Sequence, residues 1–422
     1  MQGPATHRAI DAVWRIESAQ LIAALTRVVR DVSVAEDLAQ DALVAALQQW
    51  PKSGVPANPG AWLMATAKRR GIDALRRQIT LERKQQLIGR DLLLLERLDT
   101  QDPVAQLDEV QDDMLRLIFM TCHPVLSADA RVALTLRLLG GLSTPQIARA
   151  FLASEGTVTQ RIVRAKRTLS EAQVPFEVPG HDELADRVSA VLEVIYLIFN
   201  EGYTASAGED WVRPLLCSDA LRLGRVLSAL MPHEAEVHGL LALMELQASR
   251  LRARVGPHGG PVRLEDQDRT RWDRLLVQRG LAALAHAERL SGALGPYVMQ
   301  AAIAACHAQA PSFKDTPWPR VVALYDGLAA LTGSPVVELN RAVAVAMAFG
   351  PEAALELVDA LAQEPALDRY HLVGSVRGDL LARLGRLNEA RAEFERAADL
   401  CQNGPERELL LSRAVACGPQ AQ

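Results

Sequence analysis

Aromatic side chains are scarce in this chain: six Trp, five Tyr and seven Phe in 422 residues. A core with so little aromatic bulk must be filled by aliphatic side chains. The 49% apolar content supplies them and fits a soluble, Ala/Leu-rich helical protein. Cysteine is scarcer still. Cys122, Cys217, Cys306, Cys401 and Cys417 are odd in number and widely spaced, and no C-x-x-C occurs. This pattern argues for reduced thiols rather than a disulfide framework. Cys122-His123 and the pair His233/His238 do not complete a set of four ligands, so no metal is expected. There is no secretory signal and no apolar run of 18 residues, which points to a cytoplasmic chain away from the membrane. A phosphate loop, a nucleophile elbow and a metal-binding signature are also missing. The expectation is a protein that is not an enzyme and uses no cofactor.

The formal net charge of −5 hides a split. Residues 1–175 carry 22 Lys/Arg against 19 Asp/Glu, and residues 176–422 carry 24 against 32. Only the N-terminal part suits a polyanionic partner, and its cations are concentrated. Lys68, Arg69, Arg70, Arg76, Arg77, Arg83 and Lys84 fall within about five helical turns. Such contacts supply affinity and salt dependence, not sequence choice.

Gly141 to Leu169 reads as a short helix, a tight turn and a second helix. Thr144 serves as N-cap and Pro145 as the first helical residue, with Ile147, Ala148 and Phe151 apolar. Ser154 caps the second helix, whose Val158, Ile162, Ala165 and Leu169 face inward at helical spacing. Thr157, Gln160, Arg161, Arg164, Lys166 and Arg167 remain for the outer side. A helix-turn-helix of this shape places its second helix in the DNA major groove. Two amphipathic helices with a solvated basic face would give the same pattern.

Upstream, Val34 to Trp50 forms a helix with Asp37, Gln40 and Asp41 on one side and Leu38, Ala42 and Ala45 toward a core. Pro51 and Gly54 end it. Pro59 to Arg77 forms another helix, with Trp62, Leu63, Ile72, Asp73 and Arg76 in the pattern W-L-…-I-D-x-x-R. Asp91 to Asp113 holds eight carboxylates against Arg97 alone and reads as an acidic linker.

From Pro175 the chain changes character. Pro175, Pro179 and Gly180 make a break, after which helical patterns run almost to the end. Leu215–Leu230 and Glu234–Leu251 read as helices, and Leu264–Ala285 opens with an Asp-rich cap and becomes a helix. His371 to Asn403 fits a tetratricopeptide unit, with Gly378 at the helix crossing, Gly385 in the turn, and Ala390, Phe394 and Ala397 on the second helix. Val336 to Leu361 is a looser copy around Gly350-Pro351. Such hairpins need stacked neighbours. Two polar clusters, Asn200-Glu201-Gly202-Tyr203 and Asp266-Gln267-Asp268-Arg269 near Trp272, have groups for acid–base chemistry. They serve equally to cap helices, to hold helix layers, or to make interdomain contacts through Glu201, Tyr203, Asp266, Asp268, Arg269 and Trp272.

These segments carry a resemblance. Leu115–Leu169, with Thr157, Val158, Arg161, Arg164 and Ala165 at the family spacing, resembles the −35-reading region 4 of bacterial extracytoplasmic-function sigma factors. It departs at Leu152, where the family has Gly. Val34–Trp50 resembles the sigma helix that docks on core RNA polymerase, which implies contacts from Asp37, Leu38, Gln40 and Asp41. Pro59–Arg77 resembles the helix that reads and melts the −10 element, which implies contacts from Trp62, Lys68, Arg69, Arg70, Arg76 and Arg77. Arg69 replaces the family's usual Asn. LRLIFMTCHPVLSADARVALTLRLLGGLST, FNEGYTAS and LEDQDRTRWDR resemble the subgroup with a long tetratricopeptide-like extension.

The resemblance implies an all-α chain. Residues 1–90 would carry the core-binding and −10 module, 91–113 a linker, 114–174 the −35 helix-turn-helix, and 180–422 a regulatory extension. It implies core RNA polymerase and promoter DNA as partners, with a regulatory ligand or protein at the extension. A linker so acidic is either a solvated connection with a short helix around Leu92–Leu95 or, as in sigma linkers, a segment that threads the polymerase channel meant for nucleic acid. The alternative is a helix-turn-helix regulator with a ligand- or peptide-binding repeat domain that acts without polymerase.

Overall fold

The computed structural model describes residues 3–81, 107–151, 153–257 and 259–418, with the side chains of 3–8, 15, 71–81 and 107–111 left aside. Residues 91–106 of the expected linker and Leu152 in the helix-turn-helix turn lie outside the described residues. The described chain is all-α, and its β-type pairing is limited to the isolated bridges Gly208–Asn403 and Val255–Pro261. It divides into two compact units, residues 1–195 and 196–422.

The first unit opens with α1 (Gly3–Val29), α2 (Val32–Ser53) and α3 (Pro59–Leu81), which pack on one another. Arg30 takes a left-handed φ of 55° and turns the chain between the first two. Asp31 then caps α2, its Oδ1 accepting from the Ser33 and Val34 amides at 2.7 and 3.1 Å. Leu38, Ala42 and Ala45 face inward, and Trp50 is 2% exposed with the Trp62 ring edge-on at 5.2 Å. Pro51 sits in the last turn of α2, and Gly54, with φ +82°, ends it.

Next come α4 (Leu107–Thr121), α5 (Ala128–Leu138), α6 (Thr144–Ala150) and α7 (Glu155–Glu171). Helix α4 begins inside the span read as linker, and it packs on α1. Asp113 explains why. It is 1% exposed and pairs with Arg27 of α1 at 2.9 Å and with Arg116 at 3.0 Å. The N-cap of α6 is Ser143 rather than Thr144. Ser143 holds the extended conformation (φ −75°, ψ 156°), and its amide donates to Gln146 Oε1 at 2.8 Å. Ser154 caps α7 as expected, accepting from the Thr157 amide at 3.0 Å.

Helix α8 (His181–Tyr203) crosses the division between the units. Its first turns belong with the first unit: Arg187 donates to the Phe119 carbonyl at 2.9 Å, and Glu193 pairs with Arg131 at 3.1 Å. A boundary at residue 180 is therefore too early. The Pro/Gly break marks the end of a loop, not the end of a packed unit.

The second unit holds α9 (Pro214–Leu230), α10 (Ala235–Ala248), α11 (Arg274–Leu290), α12 (Pro296–Gln309), α13 (Trp318–Thr332) and α14 (Pro335–Phe349). It ends with α15 (Pro351–Leu361), α16 (His371–Arg383), α17 (Leu387–Leu400) and α18 (Gly404–Ala416). Most helices pack chiefly on their neighbours in the chain, while α12 packs most extensively on α10. Close crossings use glycine: a Cβ on Gly239 would stand 2.7 Å from the Val298 backbone nitrogen, and one on Gly378 would meet the Phe394 ring at 2.7 Å. In the hairpin of α16 and α17, Ala390, Phe394 and Ala397 are buried and Gly385 turns at φ +75°. Leu264–Ala285 opens on its Asp-rich stretch and then becomes a helix, as expected. Two 3-10 turns, Leu264–Asp266 and Arg269–Arg271, come first, and Asp273 caps α11 by accepting from the Leu275 and Leu276 amides.

Candidate nucleic-acid interface

Helix α7 is built so that one face is fixed and the opposite face is offered. Val158, Ile162, Ala165 and Leu169 are buried against α5 and α6. Ser154, Thr157, Gln160, Arg164 and Arg167 are exposed. Val163 joins them at 59% exposure, an apolar residue that sequence reading overlooked. It lies three residues after Gln160, which is the signal that could have found it. Along this stripe Arg164 forms no ion pair among the described residues, whereas Arg167 bonds Glu171 at 2.6 Å. Arg161 is half-buried and pairs with Asp129 at 2.9 Å.

Lys166 departs from expectation. It is not on the outer face. Its side chain is 14% exposed, and its ammonium pairs with Glu36 of α2. The reason is register: Lys166 follows Ala165 and stands four residues after Ile162, at the edge of the buried stripe. Glu36 is itself 4% exposed and also accepts from Arg137 Nε of α5 at 2.6 Å. Arg137 further donates to the Leu142 carbonyl at 3.3 Å. One carboxylate on α2 thus holds two cations of the helix-turn-helix module. Sequence reading missed it, because a buried acid inside an Ala/Leu stripe looks like any other amphipathic position.

On the same helix α2, Asp37 and Asp41 are exposed and Gln40 is half-buried. Leu38 is 8% exposed, so it backs this face from inside and is not part of it. The Asp37 carboxyl is pushed above the usual carboxylate range, first by partial desolvation. Glu36, Asp41 and Asp31 add to the shift, and Lys166 opposes it. Asp41 faces Arg70 of α3 at 3.9 Å, so the acidic face adjoins the cations of α3. Arg69 is exposed, while Trp62, Lys68 and Arg70 are half-buried. The side chains of Arg76 and Arg77 lie outside the described residues.

The polar clusters of the second unit make their described contacts inside it. Glu201 pairs with Arg213 and accepts from the Ser206 amide. Tyr203 stacks on Phe199 at 5.6 Å, and the Arg254 guanidinium lies 3.8 Å from its ring centre. Asp266 pairs with Arg263 at 3.1 Å. Asp268 caps the Arg269–Arg271 turn. Arg269 donates to the His307 and Ala310 carbonyls and lies 4.6 Å from the ring centre of Trp272, which is 5% exposed. These residues act as helix caps and as ties between helix layers.

Among the described residues, no helix is long and apolar enough to cross a membrane. One grouping has metal-ligand chemistry, His371, Cys401 and Glu406, whose ligand atoms lie within 4.8 Å of one another. It offers three ligands. Burial pushes the Cys401 thiol up to about 11, away from the thiolate that binds metal.

Comparison with known proteins agrees with the geometry. The family described as sigma-70 region 2 matches residues 15–79, and sigma-70, region 4, matches residues 116–169. A family of unknown function, DUF6596, matches residues 187–288. An uncharacterized protein of Rhizobium meliloti (strain 1021) is 44% identical over 390 residues, covering 92% of this chain and 90% of its own. A probable ECF RNA polymerase sigma factor, SigI, of Mycobacterium tuberculosis (strain ATCC 25618 / H37Rv) is 27% identical over 172 residues. That similarity covers 41% of this chain and 58% of the relative.

Proposed function

The chain belongs to the extracytoplasmic-function sigma factors that carry a long C-terminal helical extension, and on that premise we propose that it joins core RNA polymerase and directs initiation at a defined set of promoters. The observation that carries this reading is the order of the parts. An acidic docking helix with exposed Asp37 and Asp41 precedes a cationic α3, and a capped helix-turn-helix with an outward Arg164 follows. Sigma factors are not enzymes, and the reading assigns no catalytic residue.

In this reading α7 enters the −35 major groove. Arg164 and Arg161 meet bases or phosphates, and Val163 meets a thymine methyl. Losing one bidentate base contact costs roughly 1–3 kcal/mol and relaxes preference at one position, whereas a lost phosphate contact weakens all promoters alike. Arg164→Ala is expected to re-rank a set of −35 mutant promoters in a transcription assay. Arg161 must first leave Asp129, so Arg161→Ala has the smaller effect. An unchanged ranking at full activity for both variants would remove α7 from the groove.

The −10 and −35 elements are separate sites along the duplex, which advances about 3.4 Å per base pair. In this reading region 2 and region 4 separate to reach the two elements together. The Glu36 pairs with Lys166 and Arg137 therefore describe the free chain, and promoter engagement breaks them.

The extension is read as the regulator. It is a separate unit with its own core and carries most of the chain's net negative charge, 23 Lys/Arg against 27 Asp/Glu over residues 196–422. A tethered domain acts at millimolar-scale effective concentration, so even weak contacts are populated. A chain ending after Tyr203, which keeps the part of α8 that packs in the first unit, is expected to lose most transcription in vitro at matched core occupancy. Equal output from truncated and full-length protein would make the extension an independent module.

A further inference from the structure

A cavity of about 270 Å³ lies within the second unit among α10, α12, α13 and α14. Small-molecule sites run from about 300 to 1,000 Å³, so this one suits a small metabolite rather than a nucleotide. Its lining contains no carboxylate. It does contain Arg250, whose Nη2 donates to Tyr203 Oη and Gln247 Oε1. The remaining Arg250 donors, on Nε and Nη1, meet no protein acceptor among the described residues. No carboxylate pairs with this guanidinium there. The rings of Tyr203 and Trp272 lie 5.9 and 5.7 Å from it.

A second observation points to a ligand. Trp272 lines the same cavity at 5% exposure, and its indole N–H, a donor only, is buried without a partner. His307 Nδ1, on the wall, is likewise buried and unmatched. Desolvation, then Arg250 and Arg269, lowers the His307 imidazole to about 4, so it stays neutral. Burial raises the Tyr325 hydroxyl to about 12, so it remains a donor. Asn340 stands exposed on the rim. One unpaired cation, neutral donors and an aliphatic wall that includes Leu246, Ile303 and Leu328 make a monoanion with an apolar body the complementary guest.

We propose that this cavity binds a small organic monocarboxylate, its carboxylate received by Arg250 and the Trp272 indole N–H and its apolar body by the aliphatic wall. Nη2 is committed to Tyr203 and Gln247, so Arg250 offers the carboxylate a single charge-assisted hydrogen bond from Nη1 or Nε, and the indole N–H supplies the second donor. The site is independent of whether the chain joins polymerase, because binding is read on the chain alone.

The test uses the full-length protein and two acid–amide pairs, phenylacetate with phenylacetamide and hexanoate with hexanamide, in calorimetric titration and thermal melting. At least one acid is expected to bind and raise the melting temperature, with its amide about tenfold weaker or more. Arg250→Met should reduce acid binding by about tenfold while changing amide binding about twofold or less. Because Arg250 also braces Tyr203, a second variant leaves the brace alone. Asn340→Trp, on the exposed rim, should block both guests with the helical circular dichroism unchanged. The proposal is overturned if neither acid binds below about 10 mM, if acid and amide bind equally, or if folded Asn340→Trp protein binds the acid as before.

Discussion

Asp37→Arg combined with Asp41→Arg weakens association with core RNA polymerase by about 2–5 kcal/mol, or some 30-fold and upward. Both carboxylates are exposed on α2, and their Cα positions are one helical turn apart. Leu38, Ala42 and Ala45 anchor the helix from behind, so the fold does not depend on either acid. Charge reversal at an interface both removes attraction and adds like-charge repulsion, hence the large expected effect. The measurement is titration of labelled core polymerase with wild-type and variant protein, alongside circular dichroism. Unchanged affinity with a native spectrum would take α2 out of the interface. The neighbouring pair Asp41–Arg70, at 3.9 Å with Asp41 57% exposed, is too weak and too wet to explain a loss of that size through folding.

Glu36→Gln is expected to separate the region 2 and region 4 modules of the free chain. In the wild type this one buried carboxylate serves Arg137 and Lys166, whose side chains are 21% and 14% exposed. Removing one partner of a buried ion pair costs about 3–5 kcal/mol, because the remaining charges are left desolvated and unpaired. The chain relieves that cost by letting both cations reach water. Lys166 then becomes available to a DNA phosphate. Anisotropy with a −35 duplex at several salt concentrations should show tighter binding and a salt slope steeper by about one. Equal affinity and equal slope would mean that Lys166 and Arg137 keep their places without Glu36. In that case the tie between modules rests on the Arg27–Asp113 pair and apolar packing instead.

Much of this was legible in the sequence where a local rule fixed the outcome. The buried stripe Val158, Ile162, Ala165 and Leu169, the Ser154 cap and the Pro51–Gly54 stop follow from helical period and capping chemistry alone. The Gly378–Phe394 crossing and the Gly385 turn were likewise readable, because only glycine permits that approach and that φ. What was not legible depended on partners distant in the chain. Glu36 and Arg137 are 101 residues apart, and neither announces the other. Lys166 counted as an outward cation until α2 was placed beside it. In sequence Trp272 stands out only as a contact residue and Arg250 not at all, and they share a cavity only because α12 to α14 close around them. The start of α4 at Leu107 was hidden by its acidic composition, since Asp113 is tolerated in the interior only through Arg27 and Arg116.

Everything proposed for promoter reading depends on this chain working as part of RNA polymerase. The direct measurement is gel filtration of the purified protein with core enzyme, followed by run-off transcription from a promoter identified by sequencing transcripts after induced expression. The expected result is co-elution with core and transcripts that depend on both the protein and that promoter. Duplex binding by the chain alone, with no co-elution and no promoter-dependent transcript, would contradict it and leave a helix-turn-helix regulator that never joins polymerase.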